Sequence, residues 1–168
     1  MAEHISVIAS EMLMDQSRSK LRLTYYDASD GPRIVIFGPV DADFESLQEL
    51  FVRLSQTPGM TCELASQPFI VTFGGTKVLL SCTGPNFPHK RIDGQGIHRI
   101  EPLIMPVFEW RRSADGWDYL AELVNPFVVE FSPGHQYLTR YPGEDAIVVL
   151  SKGEYGEEVL KKLGLSDQ

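Results

Sequence analysis

The stretch Thr83–His98 has no regular pattern of apolar residues, and it holds the side chains best suited to bind a small ligand. Amino, guanidinium and imidazole groups can hold a phosphate or carboxylate, and glycines let backbone N–H groups approach an anion. Long connections of this kind are often functional. The candidate ligand-binding residues in and beside this loop are Lys90, Arg91, Arg99, His89 and His98. The glycines match no nucleotide-binding fingerprint, so the pattern predicts only an anion site.

The charge distribution supports an anion site in this loop. Segment 83–112 carries five basic and three acidic side chains, whereas the whole chain has a net charge of −8. A basic segment on an acidic protein would attract an anionic ligand. The alternative is that Lys90 and Arg91 only keep the loop in contact with water and offset neighbouring acids.

Metal and thiol chemistry have weaker support. His89, Asp93 and His98 have suitable ligand atoms, but their spacing is not that of a closed metal site. The chain has two cysteines, too few for a thiolate zinc site or a disulfide framework. Cys82 precedes a loop with two histidines that could activate a thiolate, although a cysteine more often acts as a small buried hydrophobe. We therefore expect no cofactor, and a binding protein rather than an enzyme.

Acidic side chains cluster on two predicted helices. Carboxylates in a first helical turn are favoured by the helix dipole, which explains part of this clustering. If both helices lie on one side of a sheet, their fields add and attract a basic protein, whereas nucleic acid is repelled. The candidate partner-binding residues are Asp41, Asp43, Glu45, Glu49, Asp115, Asp118 and Glu122.

Amphipathic spacing predicts the helices that carry these acids. Segment 41–56 places apolar residues at three- and four-residue steps, with Asp41 or Asp43 as the N-cap. A second helix begins at Ser113 or Asp115, and a short third helix spans Glu154–Leu163 before Gly164. The residues predicted to be buried are Phe44, Leu47, Leu50, Phe51, Leu54, Trp117, Leu120 and Leu123.

Alternation and turn residues predict the strands. Leu21–Tyr26 and Arg33–Phe37 form one hairpin, and Phe69–Phe73 with Thr76–Cys82 form another around the turn Gly74–Gly75. Ile100–Trp110 contains two prolines, which predicts an edge strand or a bulged strand. Further strands are predicted at Thr61–Ala65 and, as a three-stranded meander, at Phe127–Phe131, Gln136–Tyr141 and Ala146–Ser151. For Ile5–Met14, helix and strand fit equally well.

These elements predict one α+β domain over residues 1–168, with largely antiparallel sheets and two or three amphipathic helices. Strand, helix and three strands occur twice, over residues 33–82 and 100–151. This repetition suggests a duplicated β-α-β-β-β unit. The alternative is that two amphipathic helices share apolar spacing by chance.

Composition then limits the classes of function. With 43% hydrophobic and 23% charged residues, the chain resembles a soluble globular protein, and it has no apolar run long enough for a membrane span. We expect a cytoplasmic protein without membrane or nucleic-acid partners. The leading interpretation is a non-enzymatic protein that binds a basic partner, such as an immunity or antitoxin-like inhibitor. The alternatives are an anionic-ligand-binding protein or enzyme that uses the Thr83–His98 loop, and a homodimer joined through the edge Ile100–Trp110.

Overall fold

A computed structural model of the chain describes residues 18–84, 95–100, 106–139 and 143–164. The described residues form an α+β fold with three helices and two mixed sheets. The strands are β1 (Leu21–Ala28), β2 (Gly31–Gly38), β3 (Thr61–Glu63), β4 (Ile70–Thr72), β5 (Lys77–Cys82), β6 (Gly96–Arg99), β7 (Val107–Arg112), β8 (Gly134–Tyr137) and β9 (Ile147–Lys152). The helices are α1 (Phe44–Gln56), α2 (Ala114–Val129) and α3 (Glu157–Lys162), and a 3₁₀ turn covers Leu64–Ser66.

One sheet has the strand order β4-β1-β2-β9-β8, and the other has the order β3-β5-β7-β6. The pairs β1/β4, β2/β9 and β5/β7 are parallel, and the remaining four pairs are antiparallel. The expectation of an α+β fold with mostly antiparallel pairing is therefore confirmed.

Helices α1 and α2 pack against each other in antiparallel directions. The ring of Phe44 at the start of α1 lies 5.5 Å from that of Phe127 near the end of α2. At the other end of the pair, the centroids of Phe51 and Trp117 are 5.2 Å apart. The buried faces of both helices and the inner faces of both sheets join one apolar core. Of the eight residues predicted to be buried, seven are buried, and Leu123 is half-buried against this core.

The helix starts follow from their capping residues. Asp43 caps α1, because its Oδ1 accepts a hydrogen bond from the Ser46 backbone N–H at 3.1 Å. Ser113 caps α2 in the same way, accepting from the Gly116 N–H at 3.2 Å. Each cap satisfies one of the N–H groups that a first turn leaves without a partner. Helix α3 ends before Gly164, which has a φ of 71°.

The predicted hairpin around Gly74–Gly75 is wrong. Both glycines have a left-handed φ, 66° and 67°, so the turn itself forms. However, β4 pairs with β1 in the five-stranded sheet, whereas β5 lies between β3 and β7 in the other sheet. Turn residues determine the backbone conformation of only a few neighbouring positions. The sheet that β5 joins depends instead on where its alternating buried side chains can pack.

The predicted edge or bulged strand Ile100–Trp110 is also wrong where the structure describes it, since β7 is paired on both sides in continuous register. Strand β7 begins after Pro106 and is paired on both sides, with β5 and β6. The proposed dimer edge is therefore occupied within this part of the chain. Residues 96–98, which we predicted to be loop, belong to β6.

The predicted strand Phe127–Phe131 and the three-stranded meander are wrong for a different reason. Helix α2 continues through Pro126 to Val129, because Phe127 is buried against Phe44 and this packing outweighs the proline. Only β8 and β9 remain of the meander, paired antiparallel. The N-terminal segment Ile5–Met14 lies outside the described residues.

The two halves of the chain share a pattern of strand pairing. In each half, an antiparallel hairpin precedes the long helix and a second antiparallel pair follows it. The five-stranded sheet combines the pair β1/β2 from the first half with the pair β8/β9 from the second half. The four-stranded sheet combines the pair β3/β5 from the first half with the pair β6/β7 from the second half. A duplicated unit is not confirmed, and duplication stays a prediction.

None of the described helices has the length and apolarity that a membrane span needs.

Candidate functional site

The outer surface of the α1–α2 pair carries the predicted acidic residues. Gln48 Nε2 donates hydrogen bonds to the Ala121 carbonyl and to Asn125 Oδ1, both at 3.2 Å. These bonds join the two helices at their solvent side. Glu49 and Glu122 are each one residue beyond the Gln48–Ala121 contact and are exposed. Acids from both helices therefore lie on one side of the molecule.

Three acids at the start of α1 already have partners. Asp43 caps the helix, and its Oδ1 lies 3.6 Å from Arg18 Nη1. Glu45 forms an ion pair with Arg18, and Asp41 Oδ2 accepts a hydrogen bond from Ser19 Oγ at 3.3 Å. These contacts fix the segment before β1 to the helix.

The acids farther along the pair are available for a partner. Glu49, Asp118 and Glu122 are exposed and form no ion pair with any residue that the structure describes. Asp115, in the first turn of α2, is also exposed but is not one of these unpaired acids. Because the helices are antiparallel, the acids at the start of α2 and those at the start of α1 lie at opposite ends of the pair.

The predicted anion site is only partly described. Lys90, Arg91 and His89 lie outside the described residues. His98 and Arg99 are on β6, where Asp145 lies beside both: its Oδ2 accepts from the Arg99 backbone N–H at 2.8 Å and is 3.9 Å from His98 Nδ1. An acid therefore lies beside the His98 imidazole and the Arg99 backbone, which disfavours an anionic ligand at this position.

Glu144 and Asp145, which the sequence patterns did not single out, protect the free edge of β6. Glu144 Oε1 accepts from the Ile97 N–H at 3.2 Å, and the Asp145 N–H donates to the Ile97 carbonyl at 2.9 Å. Gly96 is required here, because a Cβ at this position would lie 2.6 Å from Glu144 Oε1. Nothing in the sequence pattern connects residues 96–99 with residues 144–145.

Glu144 also forms a buried ion pair with Arg112. The distance from Arg112 Nη2 to Glu144 Oε1 is 2.8 Å, and the side chains are only 4% and 5% exposed. Two buried charges require mutual compensation, because neither is solvated by water. This pair connects the end of β7 to the segment before β9.

A cavity of about 300 Å³ lies between the first turn of α2 and Leu138, with Arg112 in its wall. The N-terminus of a helix favours anions. Here, however, Asp115 also lines the cavity and Glu144 already neutralises Arg112. The described residues therefore give this cavity no excess of positive charge.

The described residues contain no thiol–imidazole pair. Cys82 is buried in the core, whereas His98 is on the outer face of the same sheet, opposite Glu109. Burial raises the pKa of the Cys62 thiol. On that outer face, Arg111 holds the pKa of Glu109 below its ordinary value through a 2.7 Å hydrogen bond. No group of three or more potential metal ligands occurs within the described ranges.

Lys152, at the end of β9, is a buried cation that the sequence analysis missed. Its ammonium donates to the Phe127 carbonyl at 2.6 Å and to the Glu130 carbonyl, and it lies 5.4 Å from the centre of the Phe44 ring. Burial lowers the pKa of Lys152. A cation at this position compensates the negative end of the α2 dipole.

The chain matches no protein family, no curated protein and no solved structure.

Proposed function

We propose that this protein is a non-enzymatic binding protein that recognises a basic protein partner through the outer face of the α1–α2 pair. One observation carries the proposal: the antiparallel packing brings exposed acids of two separate helices to one side, and Glu49, Asp118 and Glu122 have no ion pair among the described residues. A net charge of −8 adds a long-range attraction for cationic proteins.

An inhibitor that neutralises a basic toxin, as immunity proteins and antitoxins do, is the type of protein that this surface suits best. Such proteins act by occupying a partner's surface and need no catalytic residues. This is an analogy of type, because it compares charge and size rather than sequence. We place the protein in the cytoplasm, which agrees with two free cysteines.

The alternative function, binding of a small anion by the 83–98 loop, receives less support from the described residues. The His98 imidazole and the Arg99 backbone lie beside the Asp145 carboxylate, and the cavity beside Arg112 has no excess of positive charge. Affinity capture of a partner and a thermal-shift screen with small anions discriminate between the two functions.

The test begins with affinity capture at low salt, followed by association kinetics with the captured partner. Glu122→Lys and Glu49→Lys should each lower the association rate constant, because acid–base attraction steers the encounter. Glu158→Lys is the matched control. Glu158 is also an exposed glutamate on a helix, but it lies on α3, away from the α1–α2 face.

Equal effects of Glu122→Lys and Glu158→Lys would refute recognition through this face. A partner that is RNA or DNA would refute the charge argument as a whole. In parallel, a thermal-shift screen with phosphate and metabolites tests the alternative. It gains support if Lys90→Glu and Arg91→Glu abolish binding of a small anion while the helix variants have no effect.

A further inference from the structure

Exposed apolar side chains gather where α2 ends. Phe131 is 84% exposed and Val129 is 61% exposed, and these are the two most exposed large apolar residues in the described part of the chain. Val40, which follows β2, is 37% exposed. We call Val40, Val129, Phe131 and Pro133 the Phe131 patch. A concentration of exposed apolar side chains is typical of an interaction site.

Contacts around the end of β9 hold this patch in place. The Gly153 N–H donates to the Gly38 carbonyl at 2.8 Å, which brings the segment after β2 beside the start of β8. A Cβ on Gly153 would lie 3.1 Å from Val40 Cγ2 and 3.4 Å from Pro133 Cβ. Val40 and Pro133 therefore flank the same backbone position.

Phe131 lies beside the buried ammonium of Lys152. The Lys152 Nζ lies 5.9 Å from the centre of the Phe131 ring while it holds the last carbonyls of α2. A cation over an aromatic face is an attractive contact. The Phe131 ring therefore has one attractive contact with the protein although most of its surface faces water.

A groove of about 180 Å³ adjoins the patch between the end of α2 and β8. Phe127, Pro133 and Lys152 contribute to its walls. This volume suits one large side chain of a partner. Because an ammonium lies in the wall, an aromatic ring would gain a cation–π contact that an aliphatic side chain would lack.

Two acidic side chains lie near this apolar centre. Asp41 directly follows Val40, and the Glu130 carboxylate is close enough to Lys152 to act on its charge. The neighbouring base Arg18 is already paired with Glu45 and Asp43. The Lys152 ammonium is bonded to two helix carbonyls, so the exposed charges beside the patch are Asp41 and Glu130, which complement a cationic partner.

We propose that the Phe131 patch anchors the basic partner by accepting an aromatic side chain flanked by lysine or arginine. This inference rests on the proposed function and adds to it the place and chemistry of the anchor. The acids on the α1–α2 face set the rate of encounter, whereas the anchor sets the lifetime of the complex.

The test uses two synthetic peptides with the same number of lysines, one with a central tryptophan and the other with serine in its place. The tryptophan peptide should bind the full-length protein about tenfold more tightly than the serine peptide. Phe131→Ala should remove most of this difference. Val71→Ala is the control, because Val71 is also an exposed large apolar residue but lies on β4, at the opposite edge of the five-stranded sheet from β8.

The outcomes separate this inference from the proposed function. If Glu122→Lys weakens both peptides while Phe131→Ala changes neither, the acidic face stands and the anchor is refuted. If neither peptide binds the wild-type protein, the anchor is refuted as well, and the captured partner still tests the acidic face. Phe131→Ala should unfold at the wild-type urea concentration, since the side chain is mostly exposed. Phe131-dependent dimerisation in sedimentation would assign the patch to a second copy and overturn the proposal.

Discussion

Two arginines that are adjacent in sequence on β7 show how burial determines the importance of an ion pair. Arg112 meets Glu144 inside the protein, whereas Arg111 meets Glu109 on the outer face with side chains 44% and 24% exposed. Both distances are short, at 2.8 Å and 2.7 Å. Removal of one partner leaves a buried charge in the first case and a hydrated charge in the second.

We therefore expect Glu144→Gln to lower the free energy of unfolding by about 3–5 kcal/mol. Glu109→Gln, the control, should lower it by about 0–1 kcal/mol because water can replace the lost partner. Urea denaturation of the two variants provides the measurement. Similar losses for both variants would contradict the burial of the Arg112–Glu144 pair.

A tyrosine gives a pH-dependent expectation. Tyr155 lies against Phe37 on the outer face of the five-stranded sheet, with ring centroids 5.2 Å apart. Burial, assisted by a hydrogen bond with Tyr26, raises the pKa of Tyr155 to about 12. An unfolded tyrosine ionises near pH 10. The contribution of the neutral Tyr155 to the free energy of unfolding is therefore complete below pH 10. This contribution is lost as the pH rises through about 12.

Tyr155→Phe should remove this part of the alkaline destabilisation. Relative to wild type, the variant should gain stability between about pH 8 and about pH 11, since phenylalanine has no proton to lose. Urea denaturation at the two pH values checks the sign. A variant that loses stability relative to wild type on going to the higher pH would contradict the assignment.

Among the elements, the helices were the most predictable from sequence. A stripe of apolar residues at helical spacing has only one way to be buried, and Asp43 and Ser113 mark where α1 and α2 begin. The strands were predicted less well. The turn at Gly74–Gly75 was correctly located, but the sheet that each flanking strand joins depends on residues far away in sequence.

The candidate site was less predictable than the fold. The acids of α1 and α2 could be read from the sequence, but the antiparallel packing that places them on one side could not. The same is true of Glu144 and Asp145, which lie beside β6 only through tertiary structure, and of the exposed Phe131. The continuation of α2 through Pro126 depends on the contact of Phe127 with Phe44, which no local pattern reveals.

The packing of α1 predicts how much stability is lost when one of its buried side chains is truncated. Leu50 is fully buried between the helix pair and the sheets. Leu50→Ala should therefore lower the free energy of unfolding by about 2–5 kcal/mol, because it leaves a cavity. Gln56→Ala, at an exposed position on the same helix, should change it by no more than about 0.5 kcal/mol. A negligible loss for Leu50→Ala would mean that α1 buries another face.

For the whole molecule, the net charge of −8 predicts salt-dependent association with a basic partner. The Debye length falls from about 30 Å at 0.01 M salt to about 10 Å at 0.1 M. The association rate constant should fall by about tenfold over this range, while the dissociation rate constant changes little. Stopped-flow kinetics with the captured partner measures both. An association rate constant independent of salt would contradict electrostatic steering.

Because each sheet contains strands from both halves of the chain, the pattern of strand pairing constrains folding during synthesis. Neither sheet can be completed from one half of the chain, because β2 meets β9 and β5 meets β7 only when both halves are present. Arg33, for example, pairs with Ile147. Folding during translation must therefore wait for the last strand, and pairing across such a distance is slow. Fragments 1–94 and 95–168 should each aggregate when expressed alone. Co-expressed, they should assemble into one native particle with the near-UV circular dichroism of the packed Trp110 and Trp117 rings.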